Sequence, residues 1–177
     1  MKNYFKRTSL LSNYQGRFAL VMIAAALVIV WVAVVLAKQP ISPIPVAIQK
    51  AVSYPVYYPD PNRLPKGYSL NLKSIQLVNP KVVIFSLDGS HQQMIVFSEQ
   101  ASPGNATITR FESSYIPLHT TIWTPIGNAF SGAYNDGKTI KTLVSLPISG
   151  GPWLIITAPD NISHQALQQI LNALIKS

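Results

Sequence analysis

The sequence has no cysteine. That excludes disulfides, thiolate metal sites, cysteine nucleophiles and the acylated cysteine of a lipoprotein signal, so a domain held outside the cell must rest on packing alone. Carboxylates are scarce as well, six among 177 residues. Asp88 and Asp136 are needed by turns, Asp60 and Asp160 sit beside a proline or a helix start, and no two acids stand at a spacing suited to general acid–base work. The three histidines, His91, His119 and His164, are dispersed, and each reads as a surface or strand histidine rather than a base or ligand. Gly-x-Ser-x-Gly, His-Glu-x-x-His and phosphate-loop motifs are missing, and Gly150-Gly151-Pro152 is too short to cradle phosphate. Catalysis needs convergent groups. With none in view, the chain is expected to carry no catalytic residue, metal ligand or cofactor, and not to be an enzyme.

A chain poor in acids is basic, here by +8, but unevenly so. Residues 1–38 hold Lys2, Lys6, Arg7, Arg17 and Lys38 and no acid, whereas nine cations against six acids leave +3 over residues 39–177. The outer charges are scattered and form no nucleic-acid stripe, so no nucleic acid is expected as a partner.

What the chain does have is an uncharged run, residues 18–37, twenty long and without a charged or amide side chain. A helix of that length spans roughly 30 Å, the thickness of a bilayer's hydrocarbon core. Four cations precede the run and Lys38 follows it, which points the N-terminus to the cytoplasm. A cleaved signal peptide would find a small-residue site at Val35-Leu36-Ala37, but its apolar run is shorter. A prepilin leader would place Gly16 before the helix. It would also carry a glutamate where Val21 stands, and its helix would continue where Pro40, Pro43 and Pro45 stop this one. The expected organisation is a basic cytoplasmic leader (1–17), a single transmembrane helix (18–37), a Pro-rich neck with a short helix (38–53) and one extracytoplasmic α+β domain (54–177). The lipid bilayer is the first expected partner, and the cell membrane the expected location.

Within the outer domain, Tyr54, Tyr57 and Tyr58 alternate with prolines. They form either an aromatic ligand platform or an extended segment pinned by its rings. Leu64-Pro65-Lys66-Gly67-Tyr68 is a turn. From Tyr68 to Leu77 apolar residues recur with period two. The runs 82–87 and 92–97 flank Asp88-Gly89, which predicts a two-residue hairpin with Val82 opposite Ile95, Val83 opposite Met94 and His91 facing Ser86. Residues 99–105 read as a loop and 107–111 as a short strand. Strands follow at 119–124, 129–134 and 139–146, the last two joined by the three-residue turn Asn135-Asp136-Gly137, and 153–157 reads as a central strand. Ser163 then caps a helix to Lys176, with Leu167, Ile170, Leu171, Leu174 and Ile175 on one stripe and Ile162 and Leu167 forming a hydrophobic staple. Asn105-Ala106-Thr107 and Asn161-Ile162-Ser163 match glycosylation acceptors, the second better explained by capping. The expected fold class is α+β: one N-terminal transmembrane helix, then a curved antiparallel β-sheet packed with a C-terminal helix.

Tyr57-Tyr58-Pro59, the Leu64-Pro65-Lys66-Gly67-Tyr68 turn, the strand pair around Asp88-Gly89 ending in Phe97-Ser98-Glu99-Gln100, and the closing Trp153 strand–helix unit carry a resemblance over about residues 54–176. The chain resembles a family of bacterial membrane-anchored extracytoplasmic domains of unknown function, often associated with anti-sigma or sporulation proteins, with an architecture similar to the LolA/RseB-like lipoprotein-carrier and sensor domains. The resemblance implies a curved, half-open sheet able to hold a hydrophobic ligand, a peptide or the edge of an envelope protein. Anti-sigma members carry a cytoplasmic sigma-binding or zinc-ligand segment, and residues 1–17 contain nothing of the kind, so a sigma-regulating role is not implied. The expected function is a membrane-anchored binding or sensor domain, with Tyr54, Tyr57, Tyr58, Tyr68 and Trp123 as the candidate ligand or partner surface. The alternatives are a structural subunit of an envelope, secretion or pilus-like assembly and, second, an envelope hydrolase.

Overall fold

The computed structural model describes residues 42–79, 81–90 and 93–177. The leader, the apolar run and the start of the neck lie outside them, as does His91. Among the described residues no helix is long and apolar enough to cross a membrane.

Among the described residues nine strands and three helices follow one another: α1 (Val46–Ala51), β1 (Tyr57–Pro59), β2 (Ser69–Val78), β3 (Val82–Asp88), β4 (Met94–Ala101), α2 (Asn105–Tyr115), β5 (His119–Thr124), β6 (Gly127–Asn135), β7 (Ile140–Pro147), β8 (Pro152–Pro159), α3 (His164–Asn172) and β9 (Leu174–Lys176). Seven strands make one antiparallel sheet in the order β2-β3-β4-β8-β7-β6-β5, and β1 pairs with β9 in a separate ribbon. The expected α+β class with a large antiparallel sheet and a C-terminal helix is therefore observed. Two meanders meet at the β4–β8 pair. The connection from β4 to the far edge strand β5 must cross the sheet, and α2 makes that crossing on one face. The connection from β8 to β9 carries α3 across the other.

The inner face, under α3, is the main core. Phe85 and Phe97 stack there at 4.7 Å between centroids, and Leu154, Ile156, Ile170 and Leu171 are all fully buried. Ser163 Oγ accepts the Ala166 N–H as the expected N-cap, and Ile162 packs on the core beside Leu167. Residues 42–53, read as neck, also contribute: Ile44 is buried and Ile48 and Val52 lean on the core.

Several local expectations are corrected. The β3–β4 connection is five residues, Gly89 to Gln93, closed by the Gly89 N–H to Gln93 C=O bond of 2.7 Å, so Val82 faces Gln100, Val83 faces Glu99 and Asp88 faces Met94. A two-residue turn would have set Phe85 against polar Gln92. The longer loop instead sets Phe85 against Phe97 and Leu87 against Ile95, and burial of those four side chains outweighs a local turn preference. Gly89 serves a different purpose: a Cβ there would lie 2.8 Å from the Tyr68 ring. The loop expected from Glu99 begins only after Ala101, since Glu99 is a buried strand residue. Residues 107–111 are helical because Gly104, at φ 92°, ends the extended run. The helix also sets Ile108, Phe111, Glu112 and Tyr115 on one side, at helical spacing. The β6–β7 turn holds four residues, because Asn135 pairs with Ile140. Finally, α3 stops at Asn172. Leu174 to Lys176 turn away to pair with β1, which satisfies backbone groups of 57–59 that would otherwise have no partner.

Candidate functional site

Glu99 is the most unusual side chain in the domain. It lies on the inner face of β4, fully buried among apolar neighbours, and no cation reaches it among the described residues. Both carboxylate oxygens accept the Tyr57 N–H at 3.1 Å. The Tyr54 hydroxyl donates to the Glu99 carbonyl at 2.7 Å and to the Lys81 carbonyl at 3.1 Å. Burial pushes the Glu99 carboxyl well above the usual range, partly offset by the Tyr57 N–H. Tyr54 is raised to about 12 by its own burial and then by the Glu99 charge. This cluster latches residues 54–58 onto the sheet.

A second polar chain lies on the outer face beneath α2. The buried Trp153 indole N–H donates to Ser145 Oγ at 2.9 Å, and Ser145 donates to Glu112 Oε1 at 2.7 Å. Phe111 meets the Trp153 ring edge-on at 4.8 Å. Ser145 is fully buried, and both of its partners are accounted for by fastening α2 to β7 and β8. His119 does not join the pair, since its Nδ1 contacts the Ile116 carbonyl at 3.0 Å.

Beyond α2 the outer face stays open. Met94, Val96, Ile140, Thr157 and Pro159 line an apolar groove of about 300 Å³, with Lys141 and Asp160 at its rim. Lys141 is held by Asp136 at 2.7 Å. The Lys141 contact, then the Thr139 and Lys138 N–H groups, hold the Asp136 carboxyl well below the usual range. The groove was missed in the sequence, yet a signal existed. The runs 94–97 and 153–156 are apolar on both alternating faces, and α3 covers only one of them.

The five aromatic residues singled out in the sequence are not brought together. Tyr54 and Tyr58 are built into the core, the pinned-segment alternative for that stretch. Tyr57 lies half-buried in β1. The Tyr68 hydroxyl donates to Gln93 beside the β3–β4 loop. Trp123, 71 % exposed, sits on β5 at the opposite edge of the sheet from β2. Among the described residues no group of His, Asp and Glu is placed to hold a metal ion. Compared with protein-family models, with curated proteins and with solved structures, the chain matches none.

Proposed function

We propose that this chain is a single-pass membrane protein, N-terminus inside, whose extracytoplasmic domain binds an apolar ligand or the apolar side chains of a peptide or envelope protein and carries out no catalysis. The observation that carries the topology is the uncharged run 18–37 with four cations before it. The family resemblance over 54–176 supports the same reading, including a curved sheet. In intact cells or spheroplasts, external protease is expected to degrade residues 42–177, while the chain itself resists carbonate extraction. Release by carbonate, or protection of the domain, overturns the topology.

The outer-face groove is the binding site in this reading. Its volume is at the lower end of small-ligand sites, and Met94 supplies an adaptable wall. Met94 is 56 % exposed, so its replacement does not disturb the core. Met94→Lys is expected to weaken binding of the uncharged apolar dye N-phenyl-1-naphthylamine roughly five-fold or more, about 1 kcal/mol, with an unchanged melting temperature. Unchanged dye binding would remove the groove from consideration.

The assembly-subunit reading has one observation of its own. The two edges of the sheet differ. On β2 a register irregularity between Asn71 and Gln76, together with Lys73, guards the edge. The β5 edge is regular and carries no Lys, Arg, Asp or Glu, with Trp123 and, just before it, Leu118 at 87 % exposure. The Gln168 side-chain amide of α3 donates to the Trp123 carbonyl at 2.9 Å, so strand addition by a partner would use the part of this edge before Trp123. A stable ring or hetero-complex in detergent favours the subunit, and a solitary chain favours the binding domain.

A further inference from the structure

Residues 113–135 are the longest stretch of the chain without a Lys, Arg, Asp or Glu. They contain the whole of β5 and β6, the edge strand and its neighbour. Open edges are normally guarded by charge, proline or a bulge, since an unpaired strand is a template for another. All six residues of β5 pair with β6 without a shift of register, and none of them is a proline. Charge also decides what such an edge can meet. An edge carrying charges of one sign repels a copy of itself, because like charges set opposite one another are unfavourable. This one has none to repel.

The backbone fixes how two copies would match. The Trp123 carbonyl reaches Gln168 and not β6, so Trp123 directs its backbone groups away from the sheet. These groups alternate along an antiparallel strand. His119 and Thr121 therefore also point their N–H and C=O outward, while Thr120 and Ile122 bond to β6. Before Trp123 the edge thus offers two donors and two acceptors, on His119 and Thr121. A two-fold axis at Thr120 sets His119 opposite Thr121 of the second copy, and Thr121 opposite its His119. Each pair exchanges both of its bonds, so all four groups of each copy are used. The occupied Trp123 carbonyl is not needed, because Trp123 falls opposite Pro117, which has no N–H. An axis at Thr121 fails on this point. It would aim the His119 N–H at the carbonyl that Gln168 already holds.

We infer that β5 pairs antiparallel with β5 of a second copy of this chain, about a two-fold axis at Thr120, joining two sheets into one. The inference deepens the subunit reading above by naming the partner, and it uses neither the groove nor the membrane anchor. The side chains agree with the register. Thr120 meets its own copy at the axis, a favourable cross-strand pair. The exposed Leu118 comes opposite Ile122, and the exposed Trp123 opposite Pro117. A two-fold contact of this kind closes on itself and ends at the dimer. Four ladder bonds and two indoles bury less than the roughly 1,200 Å² at which specific complexes are generally stable. The pair is therefore expected to form reversibly and to be caught by a covalent trap.

The chain has no cysteine, so a single introduced one can form a disulfide only with its copy. The full chain in detergent is oxidised mildly with copper phenanthroline, and covalent dimer is read on a non-reducing gel. Across the axis, Thr120 and its copy form a non-hydrogen-bonded pair with Cα atoms about 4.5 Å apart, within the span of a disulfide. Thr121 and its copy lie diagonally, about 7–8 Å apart, at or beyond that span. T120C is expected to give roughly five-fold more dimer than T121C, or than S114C on exposed α2. Adding T121P to T120C removes an outward N–H that the β5–β6 ladder does not use. It is expected to abolish the cross-link while the melting transition stays cooperative. Equal cross-linking of T120C and T121C overturns the register, and T120C no faster than S114C overturns the pairing. A stable complex with a different protein and no T120C dimer overturns this inference and leaves the subunit reading standing. A solitary chain with no T120C dimer overturns both.

Discussion

Leu171→Asp is expected to abolish cooperative melting of the domain. Leu171 is fully buried in the last turn of α3 and faces the sheet alongside Leu167 and Ile170. The substitution removes apolar volume and also sets a carboxylate between a helix and a sheet that offer it no partner. Loss of a buried leucine side chain alone costs about 2–5 kcal/mol. The desolvated acid adds several more, and the sum matches the whole stability of an ordinary domain, about 5–15 kcal/mol. Circular dichroism and calorimetry would read the loss directly. Gln165→Asp is the control. It is exposed in the first turn of the same helix, where an acid suits the helix dipole, and a change within about 0.5 kcal/mol is expected. A normal melting transition for Leu171→Asp would mean that α3 does not lie on the sheet.

Glu99 should make the domain lose stability as pH rises. Its carboxyl is raised in the folded state, first by burial, with the Tyr57 N–H partly opposing the shift. Above the unfolded-state value near 4.3, the unfolded chain releases this proton while the folded chain keeps it, so the folded state binds more protons. The contribution is complete below about pH 4.3 and declines by up to about 1.4 kcal/mol per pH unit until the folded carboxyl ionises. Glu99→Gln keeps an acceptor for the Tyr57 N–H and removes the charge. The difference between wild type and variant isolates this group from the exposed carboxylates, whose linkage runs the other way. At about pH 5 the two proteins should be close, and towards pH 8 the variant should be the more stable. Parallel urea-unfolding free energies across that range would show that Glu99 does not titrate as a buried group. Glu99→Ala, by contrast, leaves a cavity and an unpartnered N–H and should be less stable at every pH. Tyr54 works in the same sense at higher pH. Its hydroxyl, raised to about 12, withdraws a contribution only as pH climbs from about 10 towards that value.

Two features of the chain are decided differently. Local rules reached the features that depend on local chemistry. Period two announced β2, apolar runs announced β3 and β8, and Ser163 with its stripe announced the start of α3, because each signal is carried by a single element. The absence of cysteine and the charge asymmetry of the first 38 residues are equally properties of composition. Tertiary structure decided everything that needed a second element. The β3–β4 register follows from what Phe85 and Leu87 meet across the ladder, not from Asp88-Gly89. Glu99 became a core residue because Phe97, two positions earlier, had to face inward, and strand alternation carried Glu99 with it. The last turn of the expected terminal helix was given up because β1 needed a partner for its backbone. The open groove exists because α2, itself read as a strand, covers only part of the outer face. The sequence by itself determined that there is an acid-poor domain behind an uncharged, positively flanked run. Which faces that domain leaves exposed came only with the folded sheet, because exposure is a relation between elements far apart in the chain.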